Sequence, residues 1–255
     1  MGKILSVTGM PGSGKTTFAV NLACGLAERD KIVILLAAEL NYGTLQSFFG
    51  TTIEDGKGIF ASLSDKTEQP EKMLTQCNKI NDNIYLMGIP NENYDVHTDG
   101  LEDLKVDQLL RRLSMISDYL IIDCTSDLYN GITIMGIEKA DHIYCLYKSV
   151  SNAAFWHRSW VPVLMQLSDV PICPIITEHQ LGCDPNTLVK AIDIEPFAFL
   201  PNVPTASILE NMGTPIFLEK RKIASLFSFN KKEDVFRYQL VIKNIVDALI
   251  IGKDN

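Results

Sequence analysis

Residues 8–17 read TGMPGSGKTT, and Gly9 through Thr16 match G-x-x-x-x-G-K-[ST] at each fixed position. Glycines at 9, 12 and 14 let backbone N–H groups converge on phosphate oxygens with no Cβ in the way. The helix that must follow adds the partial positive charge of its N-terminus. In this chemistry Lys15 is a point charge for the β- and γ-phosphates and Thr16 offers its hydroxyl to Mg2+. Thr17 meets the α-phosphate through its hydroxyl or N–H. The candidate nucleotide-binding residues are therefore Gly9, Pro11, Gly12, Ser13, Gly14, Lys15, Thr16 and Thr17.

A phosphate loop also needs a carboxylate for the magnesium shell. The run DYLIIDCT (118–125) supplies one, because its apolar residues end at Asp123. On a parallel sheet that residue stands at the carboxyl edge, where ligands of open α/β proteins sit. An ionised aspartate is reasonable beside a metal phosphate and costly if buried without a partner. Asp123 thus joins Lys15 as a candidate catalytic residue and Thr16 as a candidate metal ligand.

Holding these groups together takes a strand, a tight turn and a helix. KILSVTG (3–9) reads as the strand and residues 15–29 as the helix. Further strands are expected at 31–39, 83–90, 118–125, 142–147, 171–177 and 195–201. Helices are expected at 58–64, 71–80, 106–116, 152–167 (with Pro162 inside it) and 238–250. Apolar, β-branched runs alternating with helical-period segments predict an α/β fold: a doubly wound, mainly parallel sheet with helices on both faces. No repeat, low-complexity tract or linker interrupts the chain, so residues 1–255 are expected to form a single domain.

Composition narrows the partners. A hydrophobic fraction of 46% and a net charge of −8 fit an ordinary globular protein and disfavour a generally basic nucleic-acid binder. The opening MGKILSVTG runs straight into a strand, so no signal peptide is expected. Cys24, Cys77, Cys124, Cys145, Cys173 and Cys183 lack C-x-x-C spacing and sit mostly in apolar runs. They read as reduced core thiols of a cytoplasmic protein.

Along nearly its whole length the chain resembles the MinD/ParA family of ATPases. The resemblance is carried by the loop and TFAVNLACGLAERDKIVILLAAELNYGTLQSFFG after it, by ISDYLIIDCTSDLYNG, by KADHIYCLYKSVSNAAFW and by IEPFAFLPNVPTASILENMGTPIFLEK. It implies binding of ATP or ADP with Mg2+, Pro201 flanking the base, a nucleotide-dependent homodimer and a protein partner that the sequence does not identify. The departures fall on hydrolysis and on recognition of the base. The family's second lysine would stand at Met10, which carries no charge. Its two switch I aspartates become Ala37 and Glu39, leaving Glu39 as the remaining candidate for a water contact. A switch II glycine becomes Asp127, and an Asn-Arg pair near the base becomes Thr177-Glu178. The expectation is a nucleotide-dependent switch or scaffold with slow or absent turnover.

Rival readings remain. GMPGSGKTT also looks like the loop of adenylate-kinase-type enzymes, yet Arg29, Arg111, Arg112, Arg158, Arg221 and Arg237 form no lid-like cluster. Val241, Ile242, Ile245, Val246, Leu249 and Ile250 lie at helical spacing without a basic face, which favours core packing over a membrane anchor. The basic stretch at 219–237 reads first as a solvated loop and leaves DNA contact open without indicating it. Phe227 and Phe229 within it suggest docking onto the core or a partner. AFWHRSWVP (154–162) reads equally as a partner surface or a core-facing helix.

Overall fold

The computed structural model describes residues 1–64, 69–90, 101–178, 184–219 and 230–252. β1 (Lys3–Gly9) leads through the glycine loop into α1 (Lys15–Ala27), and β2 (Val33–Ala37) follows. Three short helices come next, α2 (Gln46–Phe49), α3 (Ile59–Ser64) and α4 (Pro70–Gln76), before β3 (Asn78–Lys79) and β4 (Ile84–Met87). Then α5 (Asp103–Met115), β5 (Tyr119–Asp123), α6 (Gly131–Glu138), β6 (His142–Lys148) and α7 (Asn152–Leu167) alternate. The described chain closes with β7 (Ile172–Thr177), α8 (Pro185–Ile192), β8 (Ala198–Leu200), α9 (Ala206–Asn211), a 3-10 turn (Ile216–Leu218) and α10 (Asn230–Ile251).

The strands form one sheet in the order β3-β4-β2-β5-β1-β6-β7-β8. All neighbouring pairs are parallel except β3 with β4. Alternation along each strand feeds two cores. Leu5, Val7, Leu35, Ile121, Tyr144 and Leu146 face the layer of α1 and α10. Ile4, Ile34, Leu36, Leu120, Ile122, Ile143 and Cys145 face the layer of α5, α6 and α7. Strands buried on both faces are what a parallel sheet covered by crossover helices requires. This is the doubly wound architecture expected from the sequence.

The register brings the site together. Val7 of β1 and Ala37 of β2 both align with Asp123 of β5, so three carboxyl ends meet at one point of the edge. β6 pairs with the other side of β1, with Gly9 opposite Leu146.

The structure differs from the sequence reading at several elements. The helix expected over 71–80 ends at Gln76, where Cys77 turns extended (ψ 150°) and is buried. Asn78–Lys79 then pair antiparallel with β4 as an edge strand. The short helices α2, α6, α8 and α9 were not anticipated. α6 is apolar all round, and its Ile132 and Ile137 are buried, so no polar stripe marks a period.

α10 starts eight residues earlier than expected, at Asn230. Its Ile242, Ile245, Val246 and Leu249 are buried in the core shared with α1. Gly25 of α1 permits the close approach, since a Cβ there would stand 3.0 Å from Val246 and 3.1 Å from Ile242. Each such aliphatic side chain contributes about 1.5–3 kcal/mol on burial. Ile250 at the end of the same face is more exposed. Among the described residues, no helix is long and apolar enough to cross a membrane.

Candidate functional site

β1 ends at Gly9 with φ 138°, and a Cβ there would run into the Leu146 carbonyl of β6. Only glycine lets β1 turn so close to its neighbour. Met10 N–H then donates to Leu146 O (3.1 Å), and Ser13 N–H donates to Met10 O (3.2 Å). Gly12 (φ 65°) and Gly14 (φ 87°) adopt the left-handed region, which completes the turn into α1. Gly14 caps that helix without any side-chain cap bond, and no acidic residue occupies the first turn. The first N–H groups of α1 therefore keep no intrahelical partner. No described residue lies within 4 Å of where a Gly14 Cβ would be, so the cradle is open there.

Lys15 is the first residue of α1, and its ammonium donates to Ser126 Oγ (2.6 Å) and to the carbonyls of Gly9 and Met10 (both 3.3 Å). Burial lowers its pKa, Asp123 opposes that shift, and the Lys148 charge adds to it. Thr16 Oγ1 donates to Asp123 Oδ2 at 2.8 Å. Among the described residues, the other Asp123 oxygen, Oδ1, is buried with no hydrogen-bond partner, as is Ser13 Oγ. Burial pushes the Asp123 carboxyl up to about 6, against the pull of Thr16 and Lys15 and with help from the Glu39 charge. An orphaned carboxylate oxygen beside a threonine hydroxyl is an all-oxygen donor pair of the kind Mg2+ takes. These residues fit a magnesium-bound nucleotide.

Two clefts flank the loop. One, of about 140 Å³, runs from Gly12, Ser13, Gly14 and Thr17 to Thr177, Glu178, Pro201 and Asn202, with Tyr238 of α10 in its wall. Pro201 is thus brought to the loop although 186 residues lie between it and Gly14 in the chain (201 less 14, less 1). The other, of about 430 Å³, is lined by Lys15, Thr16, Tyr42, Thr44, Ser47 and Glu210 among others.

The switch positions are engaged elsewhere. Glu39 Oε1 accepts from Asn41 N–H (2.9 Å) and Asn41 Nδ2 (2.7 Å). Ala37 ends β2 buried opposite Asp123, and Ala38 O accepts from Asn130 Nδ2 at 2.7 Å. Asp127 is exposed and accepts from the Tyr129 N–H (2.8 Å), closing its own turn. Met10 is only 4% exposed, and its sulfur accepts the Lys148 N–H at 3.3 Å. The basic stretch at 220–229, with Arg221, Phe227 and Phe229, lies outside the described residues, as does Cys183. Cys24, Cys77, Cys124 and Cys145 are buried, free thiols. On α7, Trp156 packs edge-on against Tyr147 (5.5 Å between ring centres), while Phe155 and Met165 are exposed. Arg29 and Arg111 pair with Asp247 and Asp107, away from the loop.

Sequence reasoning did not find Ser126, which holds the Lys15 ammonium, or Lys148 at the tip of β6. Ser126 had a usable signal, because it follows Asp123 by three residues in a segment that must pass the loop. Lys148 becomes visible only once β6 is known to lie beside β1.

The chain matches the family model described as AAA domain over residues 2–152. Among solved structures it is similar to a ParA family ATPase from Chlorobium tepidum, with TM-score 0.76 and 16% identity over 97% of this chain and 99% of that one. It is also similar to the septum site-determining protein MinD complexed with Mg-ADP from Pyrococcus horikoshii, with TM-score 0.73 and 19% identity over 98% of both chains. A chain of the MinC:MinD cell division protein complex from Aquifex aeolicus is similar too, with TM-score 0.71 and 18% identity over 98% of this chain and 96% of that one. No curated protein matches by sequence.

Proposed function

The chain belongs to the MinD/ParA family of P-loop ATPases, and from that premise we propose that it is a nucleotide-dependent switch or scaffold that positions a partner protein. It holds ATP or ADP with Mg2+ and turns ATP over slowly or not at all. The observation that carries the binding half is the Thr16–Asp123 pair beside Lys15, with one buried aspartate oxygen left without a partner. Lys15 binds phosphate, Thr16 and Asp123 hold the metal, and Pro201 lies along the base. Bound Mg·ATP would supply the γ-phosphate whose presence separates the two states of a switch.

Slow turnover is inferred from the other half. Hydrolysis requires a group that orients water and donors that stabilise charge at the γ-phosphate. Glu39 spends its carboxylate on Asn41, and the adjacent strand tip offers the methyl of Ala37. The solved MinD with Mg-ADP supports the choice of ligand, and the MinC:MinD complex supports a protein partner. We place the protein in the cytoplasm, with a nucleotide-dependent homodimer as its active form.

The test is calorimetric titration with Mg·ATP and Mg·ADP, followed by light scattering of the protein with each nucleotide. Micromolar binding and a doubling of mass with Mg·ATP alone are expected. Absence of binding would overturn the reading, and binding without a change of mass would remove the homodimer from it.

A further inference from the structure

Lys148 is the last residue of β6, the strand that pairs with β1. It therefore stands at the carboxyl edge next to the phosphate loop. Its N–H donates to the Met10 sulfur, which ties the tip of β6 to the second residue of that loop. Its side chain folds over the loop's middle. A Cβ on Gly12 would lie 2.7 Å from Lys148 Nζ and 3.3 Å from Lys148 Cε. Gly12 is thus the residue that makes room for this ammonium.

Among the described residues, the Lys148 ammonium has no carboxylate partner and no hydrogen bond. It is near enough to Lys15 to oppose that lysine's charge. Two cations held over one loop repel each other, and a bound anion is the direct way to turn that repulsion into attraction. The loop's own side chains offer Lys15 alone as a cation, since position 10 is an inward-facing methionine.

We propose that Lys148 is a second phosphate ligand of this site, contributing a positive charge from β6 to the di- or triphosphate held by the loop of its own chain. The proposal rests on the nucleotide-binding reading above. It gives the site a lysine pair drawn from two neighbouring strands' ends: Lys15 after β1 and Lys148 at the end of β6. Arginine at position 148 keeps the charge and reach, whereas methionine keeps the stem and removes the charge.

The experiment is calorimetric binding of Mg·ATP and Mg·ADP to the wild-type protein, Lys148→Met and Lys148→Arg, at low and moderate salt. Melting temperatures without nucleotide are measured alongside. Lys148→Met is expected to weaken binding by about tenfold, the size of one charge-assisted contact, and to flatten its salt dependence. Lys148→Arg should keep both. Unchanged affinity in Lys148→Met, or a loss matched by a lower melting temperature without nucleotide, would overturn the proposal while leaving the nucleotide reading intact. Recovery of full affinity on mixing Lys148→Met with Lys15→Ala protein would also overturn it, because the charge would then act between chains. A wild-type protein that binds neither nucleotide would sink both readings.

Discussion

Around the loop after β1 polar groups are left waiting, whereas past the ends of β2 and β5 the positions expected to serve hydrolysis are engaged within the protein. Among the described residues, the first region holds a buried aspartate oxygen and a buried serine hydroxyl without partners, helix N–H groups without a side-chain cap, and a lysine ammonium without a counter-ion. In the second, Glu39 closes on Asn41, Asn130 on Ala38 and Asp127 on Tyr129. A buried polar group without a partner costs about 1–3 kcal/mol. A fold keeps several together only where something else completes them. The contrast therefore separates capture of a phosphate from attack on it: one region is built to receive a ligand, and the other is built to hold its own loops.

The sharpest way to break that contrast is Lys15→Ala. Removing the partly desolvated charge should weaken Mg·ATP binding by about 100-fold or more, as read by calorimetry. Retained affinity would mean that the open groups around the loop serve something else. Next is Asp123→Asn. The variant should lose most of the chelator's effect on ATP binding, since of the two metal ligands only the Thr16 hydroxyl is left. Its melting temperature without nucleotide should hold or rise, because a carboxyl that burial pushes up to about 6 no longer has to be ionised at neutral pH. A chelator effect as large as in the wild type would show that Asp123 does not hold the metal.

Smaller effects sharpen the boundary between the regions. Ser126→Ala removes the 2.6 Å contact that fixes the Lys15 ammonium. A loss of about threefold to tenfold in ATP affinity is expected, the worth of one ordinary hydrogen bond, because the loop carbonyls still hold the ammonium. Glu39→Gln lies at the bottom of the scale, with ATP binding and phosphate release both within about twofold of wild type, as for an exposed hydrogen bond. A large fall in release would place Glu39 in the chemistry and dissolve the contrast.

Much of the receiving region was legible in the sequence because its logic is local. Gly9, Gly12, Gly14, Lys15 and Thr16 sit within eight residues, and the apolar run before Asp123 announces a strand tip. Pro201 was legible only through family resemblance, since nothing local ties it to the loop it shares a cleft with. The closed region was read by what it lacks, namely the missing aspartate at Ala37. Its internal bonds were not foreseen, although Glu39 and Asn41 are only two residues apart. α6 and α9 escaped because helices of one or two turns in apolar or mixed sequence carry no readable period. Lys148 escaped for a different reason. Its role depends on strand order, with β6 beside β1 although 132 residues lie between Gly9 and His142 (142 less 9, less 1), and on the direction in which a long side chain folds.

The most direct test follows the fate of one bound ATP. Protein in excess is loaded with labelled Mg·ATP, and samples are quenched over minutes to hours and separated into ATP and ADP. The account predicts that the label stays with the protein and remains ATP throughout, with Lys15→Ala retaining none. Conversion to ADP within seconds by the wild type, abolished in Lys15→Ala, would contradict it and show that a group in the β2 or β5 loops assists attack after all.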